Sequence, residues 1–344
     1  MRYIGSKTSL LGFIEKVIRE FEPDLKEKIF CDLFTGTTSV ARHFKDKCNK
    51  VISNDLELYS YVVQRNYIKN NDDSYCEELI KKYADVAGKH GTLTEVLSPA
   101  GKAGRMFFMT ENAMKIDGIR DKIEEDYKSE TISEEEYYFL LCSLMESADK
   151  VANTTGVYGA YLKNFKGSAA NELILRPFRP TIGTSNAEVY QMDANELIGK
   201  LEGDILYLDP PYNNRQYSSN YHVLNYICDP YNISIKTKFD KSLNKEVESK
   251  TAMGDYNISK YSRKAEAKKA FENLISKVKF KKVFISYNDE GIMSTADIKE
   301  ILEKYGKYYL RTLEYKRYKS NNIEVDKKKV EEQIHVLIME DDND

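Results

Sequence analysis

Six apolar residues, Leu10, Leu11, Ile14, Val17, Ile18 and Phe21, fall on one stripe at helical spacing and predict an amphipathic helix over 9–21. Two apolar runs then change the period. KIFCDLF (28–34) and KVISND (50–55) read as buried strands, the first leading into a turn and helix at TGTTSVARHFK and the second into a helix over 57–70. The rhythm returns late in the chain, with strands over AEVYQMD (187–193), DILYLD (204–209) and KVFISY (282–287) and helices near 194–201 and 295–305, the last stopped by Gly306. Strands near 308–316 and 333–339 lack a helical pattern between them, which predicts an antiparallel hairpin. Strands alternating with helices imply an α/β fold built on a doubly wound, mostly parallel sheet.

Between Tyr61 and Glu188 that alternation stops and a largely helical stretch takes over, including SEEEYYFLLCSLMESADKVA with Ser133 and Glu136 spaced as a capping box. The expected organisation is a principal domain over 1–61, 187–228 and 265–344, an inserted domain over 62–186, and a second insert over 229–264. That last segment is rich in Lys, Asn, Ser and Tyr and reads as irregular, exposed and mobile.

Composition bears on this picture in four places. The 344 residues exceed one minimal domain, in keeping with the inserts. No apolar run is long enough for a spanning helix and the N-terminus MRYIGSKTSLLGF carries no signal-peptide pattern, so the expectation is a cytoplasmic protein without membrane partners. Five cysteines, Cys31, Cys48, Cys76, Cys142 and Cys228, show no ligand spacing and read as small core residues, leaving neither disulfides nor a metal site to expect. Net charge is −3, yet 230–329 holds 24 Lys and Arg against 14 Asp and Glu, a balance of +10 that leaves −13 for the rest. A phosphate-contacting face and ordinary solvated helices explain that segregation equally well.

Candidate chemistry sits at strand ends. DPPY (209–212) follows the apolar strand DILYL, and in an open α/β sheet ligands lie beyond the carboxyl ends of the strands. Paired prolines, Pro210 and Pro211, fix the backbone there. An adenine amino group is a poor nucleophile because its lone pair is delocalised into the ring. The Asp209 carboxylate and Pro210 carbonyl supply two acceptors that favour a pyramidal nitrogen, and Tyr212 supplies a stacking face. DLFTGTTSVA (32–41) delivers a turn at Gly36 that opens a helix, although it matches neither GxGxxG nor a P-loop. Asp55, 19 residues beyond Gly36, is placed to accept from ribose hydroxyls, and Asp193 from a cofactor adenine; capping of the next helix is the competing reading for each. Four successive strand ends with such groups describe one lined crevice.

With these residues in view, the chain resembles the D12 class of N6-adenine DNA methyltransferases, the alpha group with Dam-like motif order. YIGSK (3–7), DLFTGTTSVA, SNDLE and DPPY match that family's motifs in order, and RQYSSNYHVL (215–224) and FISYNDEG (284–291) look like family segments. One departure stands out: the family pattern FxGxG has its second glycine where this chain has Thr38. The resemblance implies a seven-stranded Rossmann-like methyltransferase fold with the insert as target recognition domain, S-adenosylmethionine as cofactor, no metal, and double-stranded DNA as partner. It assigns Tyr3, Lys7, Asp32, Phe34, Gly36, Thr37, Asp55, Asp193 and Asp209 to the cofactor side and Asp209, Pro210, Pro211 and Tyr212 to catalysis. A flipped adenine would attack the sulfonium methyl directly.

DNA contacts are expected from Lys163 and Lys166, in a stretch with Lys150, Arg176 and Arg179 against the single acid Glu172 and with Tyr158 and Tyr161 interleaved. Arg215, Tyr217 and Tyr221 follow DPPY in an acid-free segment, with His222 expected as a hydrogen-bonding wall residue. ENAMKID (111–117) and YGAYLK (158–163) look like segments of enzymes reading CATG. A cognate restriction endonuclease is compatible with this reading without being a required partner, and the chain would act as monomer or dimer. Rival readings are an RNA or protein amide methyltransferase and a catalytically silent DNA-binding subunit.

Overall fold

The computed structural model describes residues 5–214, 216–240, 242, 244–254, 256, 258–316 and 329–340. Two compact units divide the chain: one gathers Lys7–Leu56, Gly183–Gln216 and Ile258–Asp344, the other Glu57–Ile182 and Tyr217–Asn257.

The strands, in chain order, are β1 (Ile29–Asp32), β2 (Lys50–Asn54), β3 (Asn186–Tyr190), β4 (Gly203–Leu208), β5 (Thr237–Asp240), β6 (Lys245–Glu248), β7 (Phe280–Asn288), β8 (Gly306–Lys316) and β9 (Lys329–Met339). Seven of them form the sheet of the first unit in the order β3-β2-β1-β4-β7-β9-β8. Only β9 runs against its neighbours, pairing antiparallel with β7 and with β8, so the expected C-terminal hairpin is present within a mostly parallel sheet. Apolar side chains explain why it is covered on both faces. On one side the helix Leu11–Phe21 brings Phe21 edge-on to Phe284, at 6.2 Å between ring centroids, and Phe44 stacks on Phe30 at 4.4 Å. On the other, Leu197, Ile198, Phe271, Leu274, Ile298 and Ile301 pack with Leu206, Val283 and Ile285.

The chain winds outward from β1 to β2 and β3, then returns to place β4 on the opposite flank of β1, in parallel register with Asp32 opposite Tyr207. This reversal is the switch point at which α/β sheets open a crevice.

The second unit is largely helical. Its core joins Tyr59, Val62 and Val63 to Ile116, Ile119 and Ile123 of the helix Thr110–Lys128 and to Leu140, Leu141 and Leu144 of the helix Glu134–Lys150. Ser133 and Glu136 close the capping box expected from their spacing. Among the described residues of 229–257 the backbone is more regular than the polar composition predicted. β5 and β6 pair antiparallel from Thr237–Glu248 to Asp240–Lys245, Ala252 is fully buried, and the buried Arg105 guanidinium bonds Glu248 at 2.7 Å and the Ser249 carbonyl at 2.8 Å. All five cysteines are free and buried. Among the described residues, no helix is long and apolar enough to cross a membrane.

Candidate active site

The DPPY segment begins where β4 ends. Its backbone is held from the far side: the Ile292 amide donates to the Tyr212 carbonyl at 2.8 Å. The Tyr212 ring meets Tyr287 edge-on at 5.9 Å. Gly291 is required there, because a Cβ at that position would sit 2.1 Å from the Tyr287 ring.

Lys7 reaches this segment from the N-terminal side. Its Nζ lies 2.8 Å from Asp209 Oδ2 and 5.5 Å from the centre of the Tyr212 ring. Only 6% of the Lys7 side chain and 17% of the Asp209 side chain are exposed. The other oxygen of Asp209, Oδ1, is buried and has no hydrogen-bond partner among the described residues. Asp32 is in the same condition: Oδ2 accepts from the Ala41 amide at 3.2 Å while Oδ1 is buried with no partner among the described residues. Burial pushes both carboxyls above the ordinary aspartate range; Asp209 raises Asp32 further, whereas Lys7 opposes the shift at Asp209. Burial would lower Lys7, but the Asp209 carboxylate outweighs it and keeps the ammonium charged.

The glycine turn lies beside them. Gly36 takes φ 54°, and its amide donates to Asp55 Oδ2 at 2.8 Å, joining the loop after β1 to the acid after β2. Thr38, fully buried, adopts φ 66° and ψ 11°, a left-handed conformation rare for a β-branched residue. The loop therefore keeps a glycine-like backbone without the glycine. Thr37 is half-buried in the same turn. Phe34 meets Tyr261 edge-on at 5.2 Å. The buried Tyr261 hydroxyl donates to Asn195 Oδ1 at 2.7 Å. Asp193 is exposed and caps the helix Ala194–Leu197 through a 2.8 Å bond from the Asn195 amide, the structural role anticipated as its alternative.

Lys7, Asp32, Phe34, Gly36, Thr37, Asp55, Asp193 and Asp209 to Tyr212 thus all belong to the sheet unit. Tyr3 and Arg215 fall outside the described residues. Sequence reasoning missed Tyr261 and also Glu332, a β9 residue in register with Asn288. Burial raises the Glu332 carboxyl, Lys7 opposes that rise, and Asp209 adds to it. No motif marks either residue; only strand pairing and packing bring them in.

Lys163, Lys166, Tyr217 and Tyr221 belong to the helical unit. Both lysines are exposed. Tyr217 is half-buried and stacks on Tyr221 at 6.3 Å. Tyr221 itself corrects the sequence reading: it is fully buried against Tyr59, because the inward face of the helix Tyr217–Cys228 carries it into the core. Tyr158 is corrected likewise, being fully buried with its hydroxyl 2.8 Å from Asp149. Arg179 is engaged by Asp73 and Glu77. His222 is buried, with Nδ1 3.1 Å from the Ser219 carbonyl and Nε2 2.7 Å from that of Thr251. Some basic residues of 230–329 are paired with acids, Lys268 with Asp297 and Lys304 with Glu272 inside that segment and Lys281 with Asp204 and Lys282 with Glu22 outside it.

A sheet with its switch point at β1 and β4, acids at the ends of successive strands and a DPPY turn braced by a lysine defines a doubly wound α/β enzyme acting on a nucleoside-like ligand. The chain belongs to the family of D12 class N6 adenine-specific DNA methyltransferases, which it matches over residues 3–301. It is 44% identical over 94% of its length to the Type II methyltransferase M.NlaIII of Neisseria lactamica, which it covers to 94%. It is 38% identical over 92% to the Type II methyltransferase M.CviAII of Paramecium bursaria Chlorella virus 1, covering 92% of that chain. A third relative, M.FokI of Planomicrobium okeanokoites, is 37% identical over 94% of this chain, which spans 50% of that longer protein. The reaction is therefore methylation of adenine N6 in DNA.

Proposed function

We propose that the sheet unit carries out S-adenosylmethionine-dependent methyl transfer to an adenine flipped from duplex DNA, and that the helical unit recognises the target sequence. One observation carries the catalytic part: Lys7 holds Asp209 Oδ2, while Oδ1 is buried and unbonded. A buried acceptor costs about 1–3 kcal/mol when unsatisfied. An amino group that donates to Oδ1 removes that penalty and is itself drawn toward the pyramidal geometry it needs for attack. The Pro210 carbonyl would accept the second N6 hydrogen. Tyr212, with its ring fixed by Tyr287 and Lys7, would stack on the base.

The residues present fit the cofactor. S-adenosylmethionine, when bound, supplies an activated methyl on a sulfonium sulfur. Asp32 Oδ1 is a second buried, unbonded acceptor and suits the ammonium of the methionine part. A cationic ligand also answers the charge of the site, where Asp209 raises both Asp32 and Glu332 and Lys7 is the cation that opposes the rise at Asp209 and Glu332. Phe34 and Gly36 would line the methionine moiety, Asp55 would accept from the ribose, and Asp193 would accept from the cofactor adenine. With the reactants aligned, positioning supplies much of the acceleration.

The relatives are named Type II methyltransferases, and on that ground we assign this chain to the modification side of a restriction–modification pair. Methylation-sensitive long-read sequencing of DNA from cells expressing the chain tests the reading. One short sequence carrying N6-methyladenine at every occurrence is the expected result; unmodified adenine throughout would overturn it.

A further inference from the structure

Residues 171–178, NELILRPF, form no regular element, yet they run in register over two helices. Asn112 clasps them first, its Oδ1 accepting from the Leu173 amide at 2.8 Å and its Nδ2 donating to the Asn171 carbonyl at 2.9 Å. Further along, Ser147 Oγ accepts from the Arg176 amide at 3.0 Å and Ser143 Oγ from the Phe178 amide at 3.1 Å. Ser143 and Ser147 stand four apart on one helix and so share a face. Asn66 completes the set by donating to the Phe178 carbonyl at 2.7 Å. Side chains thus supply a ladder that a neighbouring strand would otherwise provide.

The consequence is an alternation with period two. Leu173 and Leu175 point into the core, 3% and 5% exposed, and Glu172, Ile174 and Arg176 point out. Ile174 is 60% exposed, an unusual position for an isoleucine in a rigidly tethered segment. Arg176, unlike Arg179, makes no ion pair with an acid among the described residues. Lys150, Lys163 and Lys166, which precede this row in the sequence, are exposed and make no ion pair among the described residues, so the exposed charge along 150–178 is mostly basic.

We propose that this outward row, Glu172, Ile174 and Arg176, is the sequence-reading edge of the enzyme, lying along a groove of the DNA while the lysines contact phosphates. This rests on the DNA-methylating function proposed above and names the residues that select its site. The chemistry divides the roles. Phosphates repel a carboxylate and offer nothing to an isoleucine, but base edges suit both: a carboxylate accepts from cytosine N4, an aliphatic group packs on the thymine methyl, and a guanidinium bonds guanine O6 and N7 together. Alternate residues of an extended chain are roughly 6.8 Å apart, close to two base-pair steps of about 3.4 Å. A tethered strap also loses little conformational entropy on binding.

The test uses the full-length protein and duplexes carrying every single base-pair change around the methylated adenine, with single-turnover methylation as readout. Arg176→Ala should slow methylation of the preferred site roughly 5- to 150-fold and flatten the preference at one G·C pair. Ile174→Ala should flatten the preference at a different, T·A position. Lys163→Ala should instead weaken binding to all sequences alike and reduce the salt slope of log K by about 0.9. Both strap positions are exposed, so melting temperatures should not change. Uniform losses for Arg176→Ala, or an unaltered sequence preference in both strap variants, would overturn the assignment while leaving the enzymatic reading intact. A wild-type protein that methylates no duplex would overturn the enzymatic reading and this one with it.

Discussion

Lys7 Nζ lies 2.8 Å from one oxygen of Asp209, and the other oxygen of that carboxylate is buried with no hydrogen bond to any described residue. The lysine thereby fixes the orientation of the group that is to receive the target amine, and the first two predictions follow from that division of labour.

Asp209→Ala should abolish methyl transfer and leave DNA affinity largely intact, since phosphate contacts elsewhere supply most of the binding. Asp209→Asn should be milder, because its amide oxygen can still accept from N6. Single-turnover methylation alongside equilibrium DNA binding separates the two effects. Near-normal methylation by the alanine variant would remove Asp209 from the centre of the site.

Burial raises the Asp209 carboxyl above the ordinary aspartate range and Lys7 opposes that rise. Transfer needs the ionised carboxylate as acceptor, so activity should fall as pH drops through this raised value. Lys7→Met takes away the opposing cation, and the acid limb of the kcat/KM profile should then move to higher pH. An acid limb that stays in place, or moves down, would show that the ion pair does not govern the acceptor.

The ends of β1, β2 and β4 were legible because each carries a polar residue straight after an apolar run, a pattern that survives any detail of packing. The same holds for the β8–β9 hairpin. Glu332 and Tyr261 were not legible, since their relevance comes from strand register and a helix docking far along the chain. Tyr221 and Tyr158 misled for a related reason: an aromatic between polar neighbours reads equally well as a stacking platform or a core residue, and only burial decides. Within ENAMKID, Asn112 clasps the strap and Asp117 caps the turn at 91–94, partners that only the fold reveals.

Thr38 stands where the family pattern has glycine, and it adopts the backbone glycine would prefer. Left-handed geometry costs a non-glycine residue roughly 1–2 kcal/mol. Thr38→Gly removes that strain but loses about 0.8 kcal/mol of buried methyl and roughly 0.5–1 kcal/mol of backbone entropy, so it should unfold within about 1 kcal/mol of wild type. Thr38→Ala keeps the strain and loses the packing, and should be the less stable of the two. Urea denaturation giving the reverse order would contradict the strained conformation.

Asp117 accepts from the Gly91, Leu93 and Thr94 amides and from the Thr94 hydroxyl, at 3.1, 2.9, 2.7 and 2.6 Å. Asp117→Ala strands several buried donors at about 1–3 kcal/mol each before relaxation, so a loss on the order of 3 kcal/mol is expected in denaturant melts. Asp117→Asn keeps one acceptor oxygen and should lose less. Equal stability of the alanine variant and wild type would mean that water satisfies those donors.

Gly291 touches no proposed substrate position, yet its lack of a side chain should matter to catalysis. An alanine Cβ would lie 2.1 Å from Cε1 of Tyr287, whose ring is 2% exposed and whose hydroxyl accepts from the Met293 amide at 3.2 Å. The ring cannot retreat without disturbing its edge contact with Tyr212, and the neighbouring Ile292 amide holds the Tyr212 carbonyl. Gly291→Ala should therefore destabilise the fold by about 1–3 kcal/mol through overpacking. It should also misplace the stacking face of Tyr212, where base stacking contributes on the order of 1–3 kcal/mol. With 2-aminopurine at the target adenine, Gly291→Ala and Tyr212→Ala should both lose the fluorescence change of a captured base, whereas Asp209→Ala should keep it. Affinity for S-adenosylmethionine should hold in Gly291→Ala, because Phe34, Gly36 and Asp55 lie beyond β1 and β2. A Gly291→Ala protein that melts and methylates like wild type would show that the contact between Tyr287 and Tyr212 does not set the position of the stacking ring.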